Sequence, residues 1–474
     1  MEFEAIIGLE IHVQMKTKSK LFSSAPVTFG CEPNTKADIN DLAFPGTMPT
    51  VNKQAVINAI RVCNALHMDI DDTLLFDRKN YFYSDLSKGY QITQEFRPIG
   101  KNGYLTIKSN GKEKRIGIAR LHIEEDASKQ LHEADYSLID YNRSGVPLIE
   151  IVSKPEIKDS VEAVKYVEEI RSIVSFLDVS NGKMEEGSLR VDINVSLKDK
   201  NSDSYGTKVE IKNLNSLSNI QHAIDYEIER QSKLLESGDV VKQFTRRYDE
   251  TKKKTTTMRV KIDSIDYKYF TDSNIPPIKL SKEFIEGAIQ SSPKLASERF
   301  VEYKRLGLNE YDASLILSNV EIANYFESGL KSGCSPKLLA NWINVEVQGY
   351  LNKNNISINE FTISSEELGK LIKYIENGEI SSTQAKVLFN KMIETKKDAK
   401  TIINDIGLTQ ESDINVLVAV VNEIIDNNPQ AINDYKAGKD RVIGFLVGQV
   451  MKKTNGKANP AIVNKLILDE IKRR

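Results

Sequence analysis

The sequence predicts an α+β protein, with one large, largely antiparallel sheet in its N-terminal part and helices alone thereafter. Three observations carry this. Up to about Pro293, several segments alternate apolar and polar residues with a period of two, the mark of strands with one buried face. After Pro276, Pro277 and Pro293 the apolar residues recur at helical spacing instead. At 474 residues, and with roughly 150 residues per domain, the chain needs about three cores.

The strands come first. In FEAIIGLEIHVQM, Leu9, Ile11 and Val13 share one face while Glu10, His12 and Gln14 share the other. GSLRVDINVSL sets Leu189, Val191, Ile193, Val195 and Leu197 against Arg190, Asp192 and Asn194, and KVEIKNL sets Val209 and Ile211 against Glu210 and Lys212. Acids opposite aliphatic stripes fit an antiparallel sheet with one functional face. A helix is expected over 160–177, where Asp159 and Glu162 have capping-box spacing and Val161, Val164, Val167, Val174 and Leu177 form the stripe. A second helix is expected over 217–236. Helical periods follow in NEYDASLILSNVEIANYFESGL and SPKLLANWINVEVQGYLN. A break near Gly407, Leu408 and Thr409 precedes a last helical stretch, in which GKANP marks a turn. The expected domains are therefore 1–293, 294–406 and 407–474, the last two all-α.

Composition narrows the class. Apolar residues at 40% and charged residues at 28% are ordinary for a globular chain. The N-terminus lacks a basic region followed by an apolar run, and no segment approaches the roughly 18 consecutive apolar residues of a membrane span. A cytoplasmic protein with no membrane role is the expectation. Cys31, Cys63 and Cys334 are widely spaced with no Cys-x-x-Cys pair, which suggests reduced thiols rather than disulfides or a zinc site. Net charge is −2, so nucleic-acid binding would need a local basic surface. From Lys436 onward ten Lys and Arg accompany three acids; a solvated helix face and a nucleic-acid surface both fit such a run.

Neither a GxxxxGK[ST] loop nor a GxGxxG fingerprint occurs, so any ATP site must be of another kind. There is no GxSxG elbow and no catalytic cysteine signature, so a glutaminase is not expected on this chain. The informative residues are acids in strand-like segments: Glu10 with His12, Glu124-Glu125-Asp126, Glu150 inside PLIEIV, Glu185-Glu186, Asp192 and Glu210. Glu150, flanked by Leu148, Ile149, Ile151 and Val152, needs a cation or a donor if buried. Carboxylates with one imidazole suit Mg²⁺ or Mn²⁺, which can bridge nucleotide phosphates; for each acid alone, a cap, a basic partner or water is the competing role. RKNYFYSDLSKGYQ interleaves Arg78, Lys79 and Lys88 with Tyr81, Phe82, Tyr83 and Tyr90. Such a segment can hold phosphates and stack a terminal base, or form a partly buried strand with snorkelling lysines. His67, His122, His132 and His222 lack helical ligand spacing and are expected to be structural or exposed.

These segments, together with FPGTMP, IEEDASK, NRSGVPLIEIVSKPEI, MEEGSLRVDINVSL, GTKVEIKNLNSL and MKKTNGKANPAIVN, resemble the B subunits of the bacterial tRNA-dependent amidotransferases over essentially the whole chain. The resemblance implies a cradle-shaped sheet domain, a helical domain, and a tRNA-binding tail domain similar to the YqeY proteins. It implies that the cradle uses ATP and Mg²⁺ to phosphorylate the side-chain carboxylate of Glu-tRNA(Gln) or Asp-tRNA(Asn). Ammonia would arrive through a tunnel from an amidase A subunit, with a small C subunit wrapped around both in a heterotrimer. Carried over by position, the metal set falls on Glu10, His12, Glu125, Glu150, Asp192 and Glu210. Glu125 is also expected to act in catalysis, with Lys79 and Lys88 near the tunnel mouth and reaction chamber. Departures from the family pattern are Ser84 and Ser87 in place of proline, DLAFPG in place of CLGLPG, and Val260, Ile262, Lys268 and Thr271 in the segment 258–277. Two other classes stay in view: an ATP-dependent ligase of a small carboxylic acid, and a noncatalytic RNA-binding scaffold.

Overall fold

In the computed structural model, which describes residues 2–109, 111–201, 204–260, 266–406, 414–436, 441–454, 458 and 460–473, the alternation of the first strand is realised directly. Leu9, Ile11 and Val13 of β1 (Phe3–Gln14) are buried, and Glu10, His12 and Gln14 are half-buried on the other face. Eight further strands join it: β2 (Asp69–Ile70), β3 (Gly100–Ser109), β4 (Lys112–Glu125), β5 (Pro147–Ser153), β6 (Leu189–Asp199), β7 (Val209–Lys212), β8 (Phe244–Asp249) and β9 (Lys254–Val260). Their order across the sheet is β9-β8-β7-β6-β1-β5-β4-β3-β2. Every neighbouring pair is antiparallel except β7 and β8, which run parallel. That exception has a cause: a parallel pair cannot be closed by a hairpin and needs a crossover, and α3 (Leu217–Glu236) supplies it.

The aliphatic face is covered by α1 (Lys53–Ala65), α2 (Ser160–Phe176) and α3, which share its apolar core. Asp159 caps α2 as expected, its carboxylate accepting from the Glu162 amide at 2.8 Å. The capping box does not close on itself, because Glu162 instead accepts from the Lys158 amide and the Lys114 ammonium. The expected stripe needs one correction: Val161 is exposed, and Ala163, Tyr166, Val167, Ile170 and Val174 are buried. The opposite, polar face of the sheet is left for chemistry.

The chain divides into two compact units, Met1–Ala296 and Ser297–Arg474. Among its described residues the second holds helices joined by turns and no strand. Gly329 and Gly369 let two of its helices, Val320–Leu330 and Ser365–Glu376, approach closely: a Cβ on Gly369 would lie 2.8 Å from the Gly329 carbonyl oxygen. Helices Ile414–Asp426, Pro429–Lys436, Arg441–Lys453 and Pro460–Arg473 build a separate core around Leu417, Val421, Ile425, Leu446, Val450, Val463 and Ile467. The expected break at Gly407, Leu408 and Thr409 lies outside the described residues, as do Gly456, Lys457 and Asn459 of GKANP. Among the described residues no helix is long and apolar enough to cross a membrane. The three cysteines are free thiols, Cys63 and Cys334 buried.

Candidate active site

Strand register brings the acids together. Glu10 stands opposite Asp192, His12 opposite Glu150 on one side and Arg190 on the other, Glu150 opposite His122, and Asn194 opposite Glu210. Directly paired residues point to the same face, so the polar residues of β7, β6, β1, β5 and β4 form one continuous polar face. It floors a cavity of about 1400 Å³, whose lining also includes Lys79, Tyr267 and Tyr269.

This face contains two charge clusters. In the first, the His12 Nε2 lies 3.5 Å from Glu124 and 3.4 Å from Glu150, and the His122 Nε2 lies 3.4 Å from Glu124 and 3.1 Å from Glu150. Burial opposes a charge on His122, but Glu150 and hydrogen bonds to both carboxylates push its pKa up to about 9. Burial likewise opposes ionisation of Glu150, yet the His122 charge and bonds from both imidazoles hold it well below the usual carboxylate range. Ligand atoms of His12, Glu124 and Glu150 all lie within 4.8 Å of one another. One imidazole and two carboxylates at that spacing form a donor set able to hold a hard divalent cation.

In the second cluster the Lys212 ammonium sits 2.5 Å from Asp192 and 3.1 Å from Glu210. The Thr245 hydroxyl donates to Glu210 at 2.8 Å, and the Asn194 amide donates to Glu10 at 3.1 Å. Burial, then the charges of Glu150 and Asp192, raise the pKa of Glu10. Lys212 is the counter-charge that lets three acids share the floor.

The structure places the expected site residues unequally. Glu10, His12, Glu150, Asp192 and Glu210 converge on the cavity, and Lys79 lines its wall. Glu125 does not join the His12 and Glu150 side chains; Glu124 does. The reason is strand alternation, since adjacent residues on β4 face opposite ways. Glu125 is buried, with one oxygen accepting from the Lys88 ammonium and from the Ile92 amide at 3.0 Å. Lys88 is thus tied to Glu125 rather than to the cavity lining. His122, expected to be structural or exposed, is a member of the cluster; its signal is its place two residues before Glu124 in RLHIEE. Glu185 and Glu186 lie in a turn, not a strand, and line the rim. Asp126 receives the Arg190 guanidinium at 3.0 Å and holds no place in the metal-like group.

The divergent positions also have partners. Ser87 donates to the Asp41 carbonyl at 2.6 Å and Ser84 to the Gln130 side chain at 2.9 Å. Asp41 of DLAFPG pairs with the fully buried Lys20 at 2.9 Å. Beside it Gly145 of the NRSG turn has φ +78°, and a Cβ there would lie 2.7 Å from the Asp41 carboxylate, so two constraints favour glycine. Thr271 donates to Asp77 at 3.3 Å. Ile262 and the side chain of Val260 lie outside the described residues, as do the tail cations Lys439, Lys457 and Arg474 and the side chain of Lys436.

A sheet face lined by carboxylates and imidazoles under a large cavity defines a site suited to charged groups. Comparison with known proteins narrows the class: residues 5–286 match the GatB/GatE catalytic domain and residues 324–471 match the GatB domain. The chain is 48% identical to the B subunit of the aspartyl/glutamyl-tRNA(Asn/Gln) amidotransferase of Geobacillus thermodenitrificans (strain NG80-2), over all of both chains. It is 49% identical to the counterpart of the same name from Bacillus cereus (strain B4264), again over all of both. The chain therefore belongs to the B-subunit family of the aspartyl/glutamyl-tRNA(Asn/Gln) amidotransferases, ligases that serve protein biosynthesis.

Proposed function

We propose that the acid-floored cavity activates the side-chain carboxylate of Glu-tRNA(Gln) or Asp-tRNA(Asn) with ATP and then receives ammonia. A carboxylate oxygen bonds to the γ-phosphorus as the bond to ADP breaks. Ammonia then bonds to the acyl carbon, phosphate leaves with the bonding pair, and the nitrogen sheds a proton. Activation is chemically required, because a free carboxylate has no adequate leaving group, and an acyl phosphate supplies one.

The observation that carries this reading is the convergence of His12, Glu124 and Glu150 beside Glu10, Asp192 and Glu210 on one cavity floor. A magnesium ion bound there would offset the phosphate charge and favour an in-line arrangement. The protein's own groups do the rest. His12, Glu124 and Glu150 would hold the ion, with Glu10 beside them. Lys212 pairs with Asp192 and Glu210 and holds both carboxylates in place. Lys79 on the wall adds positive charge for phosphate oxygens.

Ammonia would come from glutamine hydrolysed on an amidase A subunit, with a small C subunit completing the assembly in the cytoplasm. The basic tail would supply tRNA phosphate contacts. The test follows phosphate release from ATP by the assembled complex. Misacylated tRNA should trigger it and free glutamate should not; release triggered equally by free glutamate would favour a ligase of small acids, and no ATP use would favour a scaffold.

A further inference from the structure

The acid-floored cavity also has an aromatic wall, which the reaction above does not use. Tyr267 and Tyr269 line the same cavity as the carboxylates. Their ring centres lie 6.0 Å apart with planes at 68°, and Tyr81 packs edge-on to Tyr267 at 6.1 Å. Main-chain bonds fix the wall: the Asn80 amide donates to the Tyr267 carbonyl at 2.9 Å, and the Asn80 side chain to the Lys268 carbonyl at 2.7 Å. Tyr267 and Tyr269 flank Lys268, whose φ is +47°.

Three tyrosines side by side would ordinarily mark a core. Here none of them belongs to the main hydrophobic core, and all are only partly buried. Their rings are spent on a polar cavity instead. The Lys79 ammonium lies 4.8 Å from the centre of the Tyr267 ring, and among the described residues no ion pair engages it. A base that stacks on this ring takes the place of the ammonium, and the flexible Lys79 stem lets that charge swing to a phosphate on the base, so ring and lysine together serve both parts of a nucleotide. The cavity, at about 1400 Å³, exceeds the roughly 300–1,000 Å³ of most small-molecule sites, so a nucleotide leaves room for a carboxylate.

We infer that Tyr267, buttressed by Tyr81 and Tyr269, stacks an adenine base in this cavity, with Lys79 on an attached phosphate. The inference rests on the proposed function, under which two adenines are available: that of ATP and that of the 3′-terminal adenosine of the tRNA. Both present the same base and phosphate chemistry.

The experiment uses the assembled amidotransferase and measures binding as well as turnover. Titration calorimetry with ADP and Mg²⁺ reads the nucleotide arm, and filter binding of deacylated tRNA, with and without its terminal adenosine, reads the tRNA arm. Tyr267→Leu should weaken one of the two roughly tenfold or more, and Tyr267→Phe, which keeps the ring, should recover the affinity. Weakened ADP binding assigns the subsite to ATP; a weakened preference for the terminal adenosine assigns it to tRNA. Unchanged values in both arms, or a loss that Tyr267→Phe does not recover, would overturn the proposal. These binding readouts separate it from the reaction mechanism: a complex that binds adenine through Tyr267 yet never phosphorylates a carboxylate would refute the latter alone.

Discussion

Two neighbouring glutamates should fail in opposite ways. Glu124 faces His12 and His122 at 3.5 and 3.4 Å, whereas Glu125 faces Lys88 and the Ile92 amide. Glu124→Gln keeps the shape but removes one anionic donor from the candidate ion site. Losing one charge-stabilising contact of this kind costs about 3 kcal/mol at the transition state, roughly a hundredfold in rate. Glu125→Gln does something else. The side chains of Glu125 and Lys88 are 4% and 14% exposed, and breaking a buried pair costs about 3–5 kcal/mol because the remaining charge loses its partner. In a domain of this size that lowers the melting temperature by roughly 5–15 °C. The assay is a magnesium titration of tRNA-dependent phosphate release at a temperature where both variants are folded, with scanning calorimetry in parallel. Glu124→Gln should need far more magnesium, and because Glu124 is itself buried against His122 it should also melt somewhat earlier. Glu125→Gln should melt earlier with a magnesium requirement close to normal. The reverse pattern would refute the assignment and return Glu125 to the metal set.

Lys20→Met removes the ammonium that pairs with buried Asp41 and should destabilise the protein by about 3–5 kcal/mol; chemical denaturation should show part of this recovered in the Lys20→Met, Asp41→Asn double variant. Gly369→Ala forces a Cβ against the Gly329 carbonyl and should cost about 1–3 kcal/mol in the helical unit, read as an earlier unfolding midpoint. Ending the chain after Ile406 should weaken tRNA binding at low salt, with the deficit shrinking as salt screens the lost phosphate contacts; equal affinity at low salt would count against a tRNA-binding tail.

Much of this is legible in the sequence because strands write their two faces as a period of two. That period alone assigns Glu10, His12, Asp192 and Glu210 to the face opposite Leu9, Ile11, Val191 and Ile211. Which of Glu124 and Glu125 enters the cluster is decided by the same alternation, yet the run IEED offers polar residues at both parities and hides it. His122 escapes a search for helical ligand spacing because its segment forms a strand. Local pattern cannot reveal the parallel pairing of β7 with β8, which depends on where α3 returns the chain. Nor can it bring Tyr267 and Tyr269 to Lys79, nearly two hundred positions away, because contacts at that separation leave no periodicity. Departures such as Ser87 find partners in the chain itself, so they mark changes in how loops are tied down rather than gaps in the acid row.

The central claim, that the side-chain carboxylate is itself phosphorylated, is open to a direct test. Misacylated tRNA carrying ¹⁸O in the side-chain carboxylate is converted by the assembled complex with ATP and an ammonia source, and the released phosphate is examined by mass spectrometry. Attack of the carboxylate on the γ-phosphorus leaves one labelled oxygen bridging carbon and phosphorus, and ammonia displaces it with the phosphate. The account predicts phosphate bearing one ¹⁸O per amide formed. Amide formation with unlabelled phosphate would contradict it.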